Sequence, residues 1–165
     1  MVSFIPLAIT TAALTGLSAL LGASLYDAVV LAPNLQTGPQ GLEHGRLFLS
    51  RATPARLFRV LSPMTQVLLL SATAALWTRE PARWLVGAAL LAIVACDVIT
   101  FRYHYPRNRL MFTAPLDVPA ARLLTAARQW RAGNFIRVLL IFVGWALVVI
   151  ALLGLRSGAI VERAA

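Results

Sequence analysis

The chain is poor in the residues that would make it soluble, disulfide-bonded or thiol-active. Asp, Glu, Lys and Arg make up only 13% of its 165 residues, too little charge to cover a water-soluble domain of this length. Cys96 is the single cysteine, which excludes an internal disulfide and any paired-thiol redox chemistry within the chain. Lysine is absent, so all fifteen basic residues are arginine, and only six acids offset them. No phosphate-binding glycine loop, HExxH pair or Ser/His/Asp elbow is present.

What the sequence has instead is apolar. Hydrophobic residues make up 59% of it and the mean hydropathy is +0.78, values that belong to an integral membrane protein. A formal charge of +9 would suggest nucleic acid in a soluble protein. Here the arginines flank apolar runs, where they act as topology signals and lipid-headgroup contacts, so no nucleic-acid partner is expected. The first run lacks the basic leading region of a signal peptide and is too long for one. It is expected to stay in place as a span.

A spanning helix needs about 20 mostly apolar residues. Four stretches qualify, 5–32, 60–77, 84–101 and 135–155. The expected fold is all-α: one integral membrane four-helix bundle covering residues 1–165. Four spans put both termini and the turn "TREPAR" on one side, and residues 33–59 and 102–137 on the other. The first side carries Arg79, Arg83, Arg156 and Arg163; the second carries eleven arginines. That excess places the two long connections in the cytoplasm and both termini outside, in the inner (cell) membrane of a bacterium. Trp77 and Trp84 bracket the short turn as interface anchors.

The long connections carry helix signals of their own. Thr53 before Pro54 reads as an N-cap followed by proline at the first helical position, so the second helix is expected to begin before its apolar part. Pro63 invites a kink in it. A further helix is expected from about Pro119, with Gly133 bending it where it joins the fourth span. The bundle is therefore expected to carry helical extensions at its cytoplasmic end.

Ionisable groups inside a bilayer cost several kcal/mol and usually face the bundle interior with a partner. Asp97, Thr100, Phe101, His104 and Asn108 fall on one helical stripe. Asp97 reads either as an interfacial acid paired with an arginine, or as the group that orients His104. Tyr26 and Asp27 lie near the same end of the first span, where Asp27 suits a salt bridge or a ligand contact. Trp130, Asn134 and Arg137 share a face of the fourth helix. Arg137 either snorkels to the interface or turns inward to neutralise Asp97 or Asp27. Pro106 reads as a stop that lets Asn108 and Arg109 fold back over that end. His44, His104 and Asp97 are the only plausible ligands for a single iron or copper, a weak signal. Two histidines leave haem open, although no CxxCH attachment exists.

The run "YPRNRLM", followed by Trp130, Asn134 and Arg137 at the head of the fourth span, resembles the anthrone-oxygenase-like family of small four-helix membrane proteins. "GASLYDAVVLAP", a glycine-containing helix ending before a proline, fits the same pattern. The resemblance implies oxidation of anthrone-type polyketides, with Asn108, Arg109, Trp130, Asn134 and Arg137 matching the family pattern and His104 a looser match.

Such chemistry needs a base, donors for an enolate oxygen and an apolar pocket. His104 or Asp97 suits the first role, Arg109, Asn134 and Arg137 the second. Trp130, Tyr103 and Tyr105 could stack on a flat ring. The expected partners are a hydrophobic small molecule, the bilayer and a second copy of the chain, with no cofactor required. A non-enzymatic accessory subunit, scaffold or transporter is the competing reading. Optical and metal analysis of the detergent-purified protein should show neither a Soret band nor stoichiometric iron; either one overturns the cofactor-free reading.

Overall fold

A computed structural model describes residues 4–113 and 118–164, with side chains to Ser157. Five helices run in the order α1 (Phe4–Leu35), α2 (Pro39–Phe48), α3 (Pro54–Ala75), α4 (Ala82–Thr113) and α5 (Ala120–Ala164). Among the described residues there is no strand. All but α2 are long and apolar enough to cross a membrane, so the chain is a membrane protein with an all-α bundle fold. Arg163, one of the arginines counted for sidedness, lies outside the described side chains.

Lipid offers no hydrogen bonds to a peptide backbone, so an apolar run of this length satisfies its own carbonyls and amides by coiling. The hydroxyls within the spans do the same. Thr10, Thr65, Thr73 and Thr100 each donate to the carbonyl four residues back, at 2.7–2.9 Å. Ser18 also accepts a bond from Trp145 Nε1 at 3.1 Å, tying α1 to α5.

Each spanning helix packs on its neighbours in a closed ring: α1 on α3, α3 on α4, α4 on α5, and α5 back on α1. Their shared interior is one apolar core, with Leu17, Leu69, Val86 and Val148 fully buried. A second apolar core lies at the end where the long connections gather. Leu31 and Leu35 of α1, Leu42 of α2, Met111 of α4 and Ala127 with Trp130 of α5 build it. Hydrogen bonds lock this cap together. Arg46 Nε donates to the Met111 carbonyl at 2.6 Å, and Gln36 joins the Ala127 carbonyl to the Arg131 guanidinium.

The helical extensions expected at this end are therefore present, and they explain why the helices outrun the apolar stretches. Hydropathy marks the part that crosses lipid, whereas the extra turns are held by the second core. Helix α3 begins at Pro54 after an extended Thr53, as its cap signal indicates, although the Thr53 hydroxyl makes no capping bond. It continues unbroken through Pro63.

One expectation is corrected. Pro106 does not stop α4, which runs on to Thr113. The turn before it, Thr100–His104, is a π-helix, in which the Tyr105 N–H reaches the Thr100 carbonyl five residues back. A wider turn relieves the clash between a proline ring and the carbonyl four residues earlier, so the helix survives its proline. Helix α1 repeats the device: Asp27–Leu31 is a π-turn, the Ala32 N–H bonds to the Asp27 carbonyl, and Pro33 follows.

The helix expected from about Pro119 is present and runs without interruption through Gly133, from Ala120 to Ala164. What Gly133 supplies is room. A Cβ there would sit 2.7 Å from Tyr103 Cε1 and 2.9 Å from His104 Nε2, too close for either ring to stay in place. Gly133→Ala should therefore lower stability by about 1–3 kcal/mol through overpacking. Gly22→Ala, whose Cβ meets nothing within 4 Å inside α1, should not lower it and should raise it by up to about 1 kcal/mol. Thermal unfolding of both variants in detergent checks this.

Candidate functional site

Between the two apolar cores lies a layer of buried polar side chains. Asp27 comes from the π-turn of α1, His104 from the π-turn of α4, and Asn134 with Arg137 from α5; each is at most 5% exposed. Descending any of these three helices, one passes from the first core to the second through this layer. The placement follows from local geometry. A π-turn shifts the helical register by one residue, and in α4 it points His104 at Trp130, whose ring meets it edge-on at 6.0 Å. Tyr103 also meets this imidazole edge-on, at 5.7 Å.

The layer opens into a cavity of about 1150 Å³. Helices α3 and α4, with Thr53 just before α3, supply all but four of its lining residues; Asp27, Leu31, Trp130 and Arg137 form the back wall. The whole predicted stripe of Asp97, Thr100, Phe101, His104 and Asn108 faces it, together with Arg109. Asn134 stands behind that wall and holds Arg137, whose Nη1 donates to Asn134 Oδ1 at 3.2 Å. Arg137 turns inward rather than snorkelling, and its guanidinium lies 4.4 Å from the centre of the Phe58 ring.

The acids are partnered differently from expectation. Asp97 accepts from Ser62 Oγ at 2.9 Å and from Gln66 Nε2 at 2.6 Å. Both donors lie on α3, so Asp97 fastens α3 to α4 and neither holds an arginine nor bonds to His104. Among the described residues Asp27 accepts no hydrogen bond and forms no ion pair; Arg137 is the cation whose charge acts on it. Its carboxylate is left facing the cavity.

Six of the nine buried side-chain nitrogen and oxygen atoms without a hydrogen-bond partner, among the described residues, belong to this one site. They are both ring nitrogens of His104, Asn108 Oδ1, Trp130 Nε1, Asn134 Nδ2 and Arg137 Nε. A buried donor or acceptor left without a partner costs about 1–3 kcal/mol. Such a concentration at a cavity wall marks a surface completed by water or by a ligand.

Not every residue singled out in the sequence meets here. Tyr26 is half exposed on the outside of α1, and His44 is exposed on α2. Tyr103 bonds through its hydroxyl to the Gln129 carbonyl at 3.0 Å, with the Arg107 guanidinium 3.5 Å from its ring centre. It braces the π-turn from outside the cavity. Among the described residues, His44, His104 and Asp97 are not gathered into a group that could hold a metal.

Sequence reasoning missed the contribution of α3: Phe58, Ser62 and Gln66. The signal was there, since Ser62 and Gln66 are polar residues four apart, one turn above Phe58, in a largely apolar helix. No protein-family model, curated protein or solved structure matches the chain. The site therefore rests on its own geometry.

The Ser62–Asp97–Gln66 cluster is the polar link between α3 and α4. Ser62→Ala should cost about 0.6 kcal/mol and at most about 1.7 kcal/mol, the mean and maximum of measured interhelical hydrogen bonds in a membrane protein. A double-mutant cycle with Asp97→Asn should show coupling of the same order; additive losses would mean that the bond carries no weight.

Proposed function

We propose that this protein is a membrane oxidoreductase of the cofactor-independent oxygenase kind, acting on a hydrophobic aromatic molecule with a weakly acidic CH₂ or phenol group. One observation carries the reading. A large cavity lined by Phe58, Phe101 and Phe112 also presents Asp27, Trp130 and Arg137, and the unpartnered polar atoms of His104, Asn108, Trp130 and Arg137 belong to residues that line it. The resemblance to anthrone-oxygenase-like proteins supports the same chemistry. The charge asymmetry supports a cytoplasmic position for this end in a bacterial cell membrane.

The chemistry for an anthrone balances without a further reactant. A base removes a proton from the ring CH₂, and the resulting enolate is electron-rich enough to reduce O₂ directly. One oxygen atom bonds to that carbon as a hydroperoxide, the O–O bond breaks, and water leaves. The products are anthraquinone and one water, from one anthrone and one O₂.

Of the two base candidates in the sequence, His104 is wedged against the Tyr103 and Trp130 rings, and Asp97 is occupied by Ser62 and Gln66. Asp27 is the carboxylate open to the cavity and takes the role of base. Arg137 and Trp130 Nε1 supply the donors that stabilise the enolate oxygen, each with a proton free for the purpose. His104 and Asn134 position them.

A transport role has less support. The other half of the bundle is filled by its apolar core, so the described residues give no polar path across.

Purified protein should accelerate O₂ uptake by an anthrone in detergent. Asp27→Asn and Arg137→Ala should each cut that acceleration about a hundredfold or more, the usual worth of a positioned base or charge donor. His44→Ala, remote from the cavity, should keep it. If wild type and both cavity variants match the uncatalysed rate while melting normally, the oxygenase reading is wrong.

A further inference from the structure

The walls of the cavity are not equally closed. Helix α3 packs on the Ala82–Ile99 part of α4, fastened by Ser62, Gln66 and Asp97. From the π-turn onward the two helices part, and α4 packs instead on α5 and α2. The residues that line the gap include exposed ones on both sides: Arg59 and Pro63 on α3, Phe101 and Arg109 on α4.

The outer surface beside the gap is apolar. Leu57, Val60 and Met64 of α3 are 50–66% exposed, and Phe101 of α4 is 59% exposed. In a membrane protein such a face is turned to acyl chains. Arg59 and Arg109 sit toward the loop end of the same gap, where arginines meet lipid headgroups.

Asp27, Trp130 and Arg137, which come from α1 and α5, face the gap from the opposite wall, and the unpartnered Trp130 Nε1 and Arg137 Nε belong to that wall. The volume of about 1150 Å³ exceeds the range of roughly 300–1,000 Å³ that holds a drug-sized ligand. A bare ring system would leave much of it empty.

We propose that the gap between α3 and α4 is a lateral portal to the bilayer, and that the ligand is a membrane-dissolved amphiphile. Its carbonyl- or hydroxyl-bearing ring enters first, to Trp130 Nε1, Arg137 Nε and Asn108 Oδ1, while its apolar tail trails through the portal into lipid. This deepens the oxygenase reading by naming its substrate class, and it rests on that reading only for what happens to the ring.

Binding tests it separately from turnover. The full chain is placed in lipid nanodiscs and titrated with benzoquinones that carry no tail, a decyl tail or a long polyisoprenoid tail, with concentrations expressed per lipid. Quenching of tryptophan fluorescence is read against Trp130→Phe, which reports quenching elsewhere. A tail lying in lipid makes length irrelevant, so all three quinones should bind within about threefold of one another, and Ala55→Trp, at a cavity-lining position of α3 one turn before Arg59, should weaken the tailed ones about tenfold, a loss of about 1.4 kcal/mol. Leu57→Trp, on the outer face of the same helix, should bind like wild type and controls for folding.

Rejection of the polyisoprenoid quinone by a protein that binds the tailless one would mean a closed cavity and overturn the portal. So would unchanged binding by a folded Ala55→Trp variant, or the absence of quenching at Trp130 by any of the three. Portal-dependent binding with no O₂ uptake from any anthrone would keep the portal and remove the oxygenase reading. Anthrone turnover by a protein that rejects tailed quinones would do the reverse.

Discussion

The close approach of α4 to α5 at Gly133 sets the position of everything in the polar layer. With no side chain at that position, the widened turn of α4 seats Tyr103 and His104 directly against α5. His104 then packs against both Tyr103 and Trp130, and Arg137, one turn beyond Gly133, is aimed into the bundle. From outside, Arg107 fastens the turn by donating to the Tyr103 carbonyl at 2.7 Å and to Gln129 Oε1 at 3.0 Å. A methyl group at residue 133 would push this assembly apart, and the back wall of the cavity with it.

The second organising feature is the repetition of one backbone device. In α1 and in α4 a five-residue π-turn is followed by one residue and then a proline, and each turn contributes a buried ionisable side chain, Asp27 or His104. A helix that kept its α register would turn those groups away from where they now stand; one that stopped at its proline would leave the second core without Leu35 or Met111. The π-turns let α1 and α4 carry a polar residue inward and still continue into the cap. Helix α3 has no such turn, and it is the helix that leaves its neighbour to open the cavity.

Much of this was readable from residues alone. The four spans, the early start of α3 at Pro54 and the stripe from Asp97 to Asn108 follow from hydropathy, capping chemistry and helical spacing. Three things did not follow. A proline preceded by ordinary residues gives no sign of whether its helix will break or widen, so the continuation of α4 past Pro106 was hidden. The role of Gly133 depends on which rings face it from another helix, a tertiary fact. The partners of Asp97 were missed because an acid near many arginines suggests an ion pair, whereas Ser62 and Gln66 are nearer in the folded chain. Hydroxyl and amide donors satisfy a carboxylate in lipid without burying a second charge.

Everything at the cavity depends on the polar layer and the turns that hold it. A crystal structure of the full chain grown from a lipidic mesophase tests that most directly. The account predicts five-residue hydrogen bonds from the Ala32 and Tyr105 amides to the Asp27 and Thr100 carbonyls, and non-protein density beside Trp130 Nε1 and Arg137 Nε. Regular α-helix through both turns, with Arg137 closed onto Asp27 and the cavity filled by side chains, would contradict it.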